Sequence, residues 1–232
     1  HLFLDAAAQA TIGDLLRDTG IRLIALDADT SAVPLEEWLV PEGVAPQPVS
    51  IEPQDPFNII YSSGTTGVPK GIVQPHGMRW RHCVLLDPPG FGPDAVTLLS
   101  TPLYSNTTLV SFIPTLAGGG TLVLMPKFEP LAYLELAQAH RVTHTMLVPV
   151  QYRRLMECER FDEFDLTSFV TKYCTSAPFP AGLKREVLDR WPGGLVEFYG
   201  MTEGGGSCML EAHLHPDKLH TVGRPIEGHT IL

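Results

Sequence analysis

Between Tyr61 and Gly71 the chain reads YSSGTTGVPKG. This run gathers four aliphatic hydroxyls (Ser62, Ser63, Thr65, Thr66), three glycines (Gly64, Gly67, Gly71) and one ammonium (Lys70) behind the apolar, strand-like Phe57 to Ile60. Such a stretch has the means to wrap a phosphate. Glycine lets the backbone approach and turn its N–H groups toward an anion, hydroxyls donate further hydrogen bonds, and lysine adds a compact positive charge. The G-x-x-x-x-G-K-[ST] phosphate loop is not met. Lys70 follows Pro69 and precedes Gly71, so the Gly-Lys pair and the metal-binding hydroxyl after the lysine are both missing. A solvated turn would share this composition but would not require Pro-Lys-Gly behind Gly-Thr-Thr-Gly.

The stretch resembles, nearly letter for letter, the [ST]-[SG]-G-[ST]-T-G-x-P-K-G motif of the adenylate-forming superfamily. That family includes acyl-CoA synthetases, aryl-CoA ligases, luciferases and the adenylation domains of peptide synthetases. A second run, Phe198-Tyr199-Gly200-Met201-Thr202-Glu203, is similar to the family's [FY]-Y-G-x-T-E. The resemblance implies a site for ATP or AMP in which Ser62, Ser63, Gly64, Thr65, Thr66, Gly67 and Lys70 face phosphate. In the second run, Tyr199 stacks on adenine, Gly200 allows close approach, Thr202 reaches the α-phosphate and Glu203 holds Mg²⁺ as a hard oxygen ligand. Lys70, Thr202 and Glu203 are the residues to which it assigns catalysis.

Three weaker segments keep the same order. Ser176-Ala177-Pro178 resembles the Gly-Ala-Pro type segment whose backbone meets adenine, and it also reads as a helix start with a Ser cap and Pro in the first turn. Thr221-Val222-Gly223-Arg224-Pro225 resembles [ST]-x-G-[KR]-P and supports the register. Pro102 to Asn106 falls where CoA ligases often carry Pro-Leu-[FY]-His, with Ser105 in the histidine position. Tyr104, Ser105 and Asn106, with Gly204 and Gly205, are thereby placed on the acid-substrate side. Amino-acid-activating members set an aspartate at this point to pair with the substrate ammonium. Ser105 carries no such charge, which favours a simple carboxylic acid.

The implied reaction has two steps. A fatty or aryl carboxylate attacks the α-phosphate of MgATP to give an acyl-adenylate and pyrophosphate, and coenzyme A then takes the acyl group. An adenylation domain feeding a carrier protein and a non-catalytic nucleotide-binding module are the alternatives. Family members are longer, so residues 1–232 are expected to be the central part of the large N-terminal domain. Its segments would be 1–56, 57–125 (phosphate loop) and 126–232 (adenine and magnesium). The expectation is that the C-terminal domain is absent and that this stretch alone does not turn over. His1 in place of an initiator methionine and the apolar finish point the same way.

The elements that must hold these residues alternate. Helices are expected over 6–19, 77–86, 109–116, 130–140, 149–158 and 180–190, with a short one over 35–39 inside a surface connection running to residue 56. Strands are expected over 21–26, 57–60, 96–100, 121–125, 142–148, 169–174 and 195–199. This pattern is α/β, with layered, mostly parallel sheets, helices on the faces and ligands at the carboxyl ends of the strands. His140 and His144 share a metal-like i, i+4 spacing, but they read as one surface and one core histidine; His213, His215 and His220 read as solvated.

Composition bounds the rest. With 44% hydrophobic and 18% charged residues the chain is globular, and a net charge of −10 argues against nucleic acid or an anionic membrane as partner. Four cysteines without a C-x-x-C pair fit a reducing compartment, and the absence of a long apolar run leads to the expectation of a cytoplasmic protein.

Overall fold

In the computed structural model the described residues are 1–27, 31–62, 68–85, 90–202, 207–228 and 230. They divide into two units, His1–Ser50 and Ile51–Leu232. In the first, β1 (Leu2–Leu4) is followed by α1 (Ala6–Ile12), β2 (Leu23–Ala25), β3 (Val33–Pro34) and α2 (Leu35–Trp38). The strands form a parallel sheet in the order β1-β2-β3 that buries Leu4, Ile24 and Ala25. The carboxylate of Asp5 caps α1, accepting from the Ala8 amide at 2.7 Å. The first helix is shorter than its apolar spacing predicts. It passes into a 3₁₀ turn over Gly13–Leu16 and is followed by left-handed residues at Asp18 and Gly20.

The second unit begins with a hairpin of β4 (Pro56–Ser62) and β5 (Lys70–Pro75), which pair antiparallel with Ser62 opposite Lys70. Next come α3 (His76–Leu85), β6 (Val96–Leu99), α4 (Asn106–Ala117), β7 (Thr121–Leu124), α5 (Pro130–Ala139), β8 (His144–Leu147) and α6 (Pro149–Met156). β9 (Thr171–Cys174), α7 (Ala181–Arg190), β10 (Gly194–Tyr199), β11 (Cys208–Glu211) and β12 (Arg224–Pro225) complete it. The main sheet runs β12-β11-β10-β9-β8-β6-β7, parallel except for β11 and β12. The central strands β6, β8, β9 and β10 are buried over most of their length, as parallel strands flanked by helices must be, whereas the edge strands β7 and β12 are not. Leu98, Leu147, Cys174 and Leu195 face a core filled by Tyr133, Leu134 and Ala137 of α5, Tyr152 and Leu155 of α6, and Val187 of α7. Trp191, just past α7, meets Tyr133, Phe161 and Phe169 edge-on. The alternate residues Leu99, Met146, Tyr173 and Val196 face the other side, against Phe91, Val110, Phe112 and Phe198.

The mostly parallel α/β architecture expected from the alternation is present, with two differences. Ser62 and Lys70, at the two ends of the phosphate-loop stretch, belong to strands of a separate antiparallel pair, because period-two alternation continues through Gly71 to Pro75. The short β11 and β12 were not foreseen, having only four and two residues in a Pro/Gly/His-rich segment. No helix among the described residues is long and apolar enough to cross a membrane, and all four cysteines are free thiols.

Candidate functional site

The second face of the main sheet, over β8 to β11, floors a groove of about 1390 Å³. Met146, Tyr173, Val196, Phe198 and Met209 form the floor. Trp80, Arg81 and His82 of α3 and Asn106, Thr107 and Val110 of α4 make one wall. The rim is built from the connections leaving β9 and β10, namely Thr175, Ser176 and the run Tyr199 to Thr202. Carboxyl ends of parallel strands are where open α/β sheets bind ligands. Rings from adjacent strands stack in the floor, Tyr173 lying 5.9 Å from Phe198, and Tyr173 also stacks 5.8 Å from Phe91 of the connection before β6, nearly parallel to both.

The residues singled out from the sequence do not all meet at this groove. Ser63, Gly64, Thr65, Thr66, Gly67, Glu203, Gly204 and Gly205 lie outside the described residues. Ser62 ends β4 with a buried Oγ that has no hydrogen-bond partner among the described residues, and Lys70 opens β5 on the surface. Tyr199 is 55% exposed at the rim. A Cβ on Gly200 would stand 3.0 Å from Ser207 Oγ, so the lack of a side chain there serves close packing of the chain as it returns. Ser176, with φ of 80°, does not cap α7. The N-cap is Pro180, without a side-chain bond, and Ser176 Oγ pairs with Thr107 Oγ1 of α4 at 2.6 Å. This corrects the reading of Ser176 as a helix start: the extra residues between Ser176 and Ala181 carry the hydroxyl away from the helix. Ala177 and Pro178 continue that connection.

Of the three described acid-side residues, Asn106 lines the groove. Tyr104, 81% exposed, lines a smaller recess of about 460 Å³ against Asn58 to Tyr61. Ser105 precedes α4 as its N-cap, with its backbone carbonyl accepting from Thr108 and Leu109. His140 is exposed and His144 buried, as expected. His213, His215 and His220 are exposed, as expected; His213 Nδ1 also lies 3.2 Å from the Leu195 carbonyl oxygen, and the residue borders the groove.

Sequence reasoning missed the polar cluster behind the wall. Arg79, 2% exposed, donates from Nε to Asn58 Oδ1 at 3.1 Å, from Nη1 to Asn106 Oδ1 at 2.9 Å and from Nη2 to Gln74 Oε1. Gln74 Nε2 in turn donates to the Thr202 carbonyl at 3.1 Å. Gln74 holds an inward phase of β5, so a period-two reading of 70–75 would have marked a polar residue on the buried face. Burial draws the Arg79 guanidinium down to about 10 and, with Arg79 beside it, draws His82 down to about 4.

His144 sits stacked 4.8 Å from Phe91, with Nδ1 at 2.7 Å from Thr143 Oγ1 and burial holding it near 4. Both imidazoles are therefore neutral in the fold while the unfolded chain titrates near the ordinary 6.5. Their contribution is whole above that value and is lost as the pH falls toward 4, because the unfolded state then binds more protons. The expected loss is about 1–3 kcal/mol. It is to be read from urea midpoints between pH 8 and 4; an acid limb of the same depth in His144→Leu would contradict it.

The AMP-binding enzyme family model matches residues 3–232, and the chain belongs to that family. It is 36% identical over 172 residues to a feruloyl-CoA synthase of Amycolatopsis sp., covering 72% of this chain and 34% of that one. It is 33% identical over 225 residues to an indoleacetate–CoA ligase of Aromatoleum aromaticum, covering 93% and 42%. Among solved structures, the amide bond synthetase McbA from Marinactinospora thermotolerans superimposes with a TM-score of 0.82 at 26% identity, over 97% of this chain and 45% of that one. The chain thus spans well under half the length of the curated relatives it matches.

Proposed function

We propose that the whole protein of which these residues form part activates an aryl carboxylic acid with ATP and passes it to coenzyme A. The observation that carries this reading is the aromatic-floored groove at the rim formed by Tyr199 to Thr202. A flat acid fits a floor of stacked rings, and its carboxylate would lie toward the strand ends where the nucleotide motif begins. The relatives named for ferulate and indoleacetate ligation support an aryl rather than a fatty acid.

In this reading a carboxylate oxygen bonds to the α-phosphorus of ATP as the bond to pyrophosphate breaks. The thiol sulfur of coenzyme A then bonds to the acyl carbon as AMP leaves. Tyr199 supplies a ring for adenine, the segment 176–178 borders its edge, and Lys70 with the hydroxyls of the 62–66 run neutralises phosphate charge. Magnesium enters with ATP. Glu203 would hold that ion as a hard oxygen ligand, with the substrate phosphates supplying most of the remaining contacts. A carrier-protein acceptor in place of coenzyme A is the second reading, favoured by no described feature. The test is acid-dependent exchange of pyrophosphate into ATP by the full-length protein, followed by thioester formation when coenzyme A is added. The 232 residues alone are expected to make no acyl-adenylate.

A further inference from the structure

The buried cluster around Arg79 joins the hairpin that carries Lys70 to the backbone of Thr202, and of its side chains only that of Asn106 belongs to a residue assigned from the sequence. Asn58 and Gln74 come from the two strands of the hairpin, Arg79 and His82 from α3, Asn106 from the start of α4, and the acceptor at the far end is the Thr202 carbonyl. Among the described residues no carboxylate pairs with Arg79. Its guanidinium is satisfied by neutral amide oxygens, and the cost of burying it is accepted in a place where a Leu would pack. Gln74 makes the connection that matters, because its amide is polarised in one direction: Oε1 accepts from Arg79 and Nε2 donates to Thr202. Gln74 and Lys70 share one face of β5, about 13 Å apart along the strand. One short rigid strand therefore carries the proposed phosphate lysine at one end and the anchor of Thr202 at the other.

We infer that Gln74 is a positioning residue that holds Thr202 in register with Lys70, so that both reach the same phosphate group. This rests on the reading given under Proposed function. Gln74→Glu separates the two halves of its role: a carboxylate still accepts from Arg79, and more strongly, but an acceptor now faces the Thr202 carbonyl. In the full-length protein the variant is expected to melt no lower than wild type by more than a few degrees while its kcat for acid-dependent pyrophosphate exchange falls about tenfold or more, with KM for ATP little changed. Amide exchange in the segment 199–208 should rise while that of β8 stays the same. A kcat within about twofold of wild type, or unchanged protection of 199–208, overturns the inference. Should the carboxylate prevent folding, Gln74→Asn, which keeps the amide but shortens its reach, is read the same way. If wild-type protein shows no exchange at all, the functional reading fails, and the amide-exchange comparison still decides whether Gln74 holds the segment.

Discussion

Lys184→Met is expected to destabilise the second unit by about 3–5 kcal/mol. The lysine side chain is 1% exposed and that of its partner Glu197 is 4% exposed. The ammonium forms an ion pair with the Glu197 carboxylate and donates to the carbonyls of Leu219 and Thr221, both at 2.9 Å. Methionine keeps the length and the apolar stem, so the loss falls on the charges: a buried carboxylate without its cation, and two carbonyls without their donor. Burial already pushes the Glu197 carboxyl up, against the pull of Lys184. In the variant it is pushed further, so the fold prefers the protonated acid and the cost grows as the pH rises through that raised value. The double variant Lys184→Met, Glu197→Met should recover at least half of the loss. Urea denaturation of the three proteins checks this, and a single-variant cost below about 1 kcal/mol would contradict it. The pair also ties the segment leading to β12 onto β10, two residues before Tyr199. Loosening it should therefore weaken ATP binding as well.

Lys70→Ala is expected to lower pyrophosphate exchange by about 10²–10³-fold, the usual cost of removing one preorganised group from a developing charge. Lys70 opens β5 opposite Ser62, and its surface position means that the substitution removes no core packing. Its melting temperature should stay within a few degrees of wild type, which separates this effect from that of Lys184. Exchange within about threefold of wild type would take Lys70 out of the phosphate site.

Legibility in the sequence depends on the length scale of each feature. Helices such as α5 and α7 are marked by apolar spacing and an initial Pro, and the structure places them within a residue or two of the expected bounds. The hairpin of β4 and β5 was half seen: the first strand has a run of apolar residues, whereas the second alternates Ile72 and Gln74 inward with Gly71 and Val73 outward. Local motifs gave Tyr199, Gly200 and Thr202 as neighbours because they are nearly consecutive. They gave no hint of Gln74, which meets Thr202 from 128 positions away through a contact that only the tertiary fold creates. The same holds for the ring stack under the groove, where Tyr173 and Phe198 come from two strands and Phe91 from the connection before β6. Ser176 shows the opposite failure. A Ser followed by Pro before a helix looks like a cap, yet its left-handed backbone turns the hydroxyl to Thr107 instead.

The central claim, that this chain carries the acid-activating site of an aryl-CoA ligase, is tested most directly by pyrophosphate exchange into ATP by the full-length protein. It should be measured with ferulate, 4-coumarate, indoleacetate or hexadecanoate as the only acid. The account predicts exchange that requires an acid, is highest with one of the three aryl acids, and is converted to thioester formation when coenzyme A is supplied. ATP binding without exchange for any acid, or exchange supported by hexadecanoate and by none of the aryl acids, would contradict it.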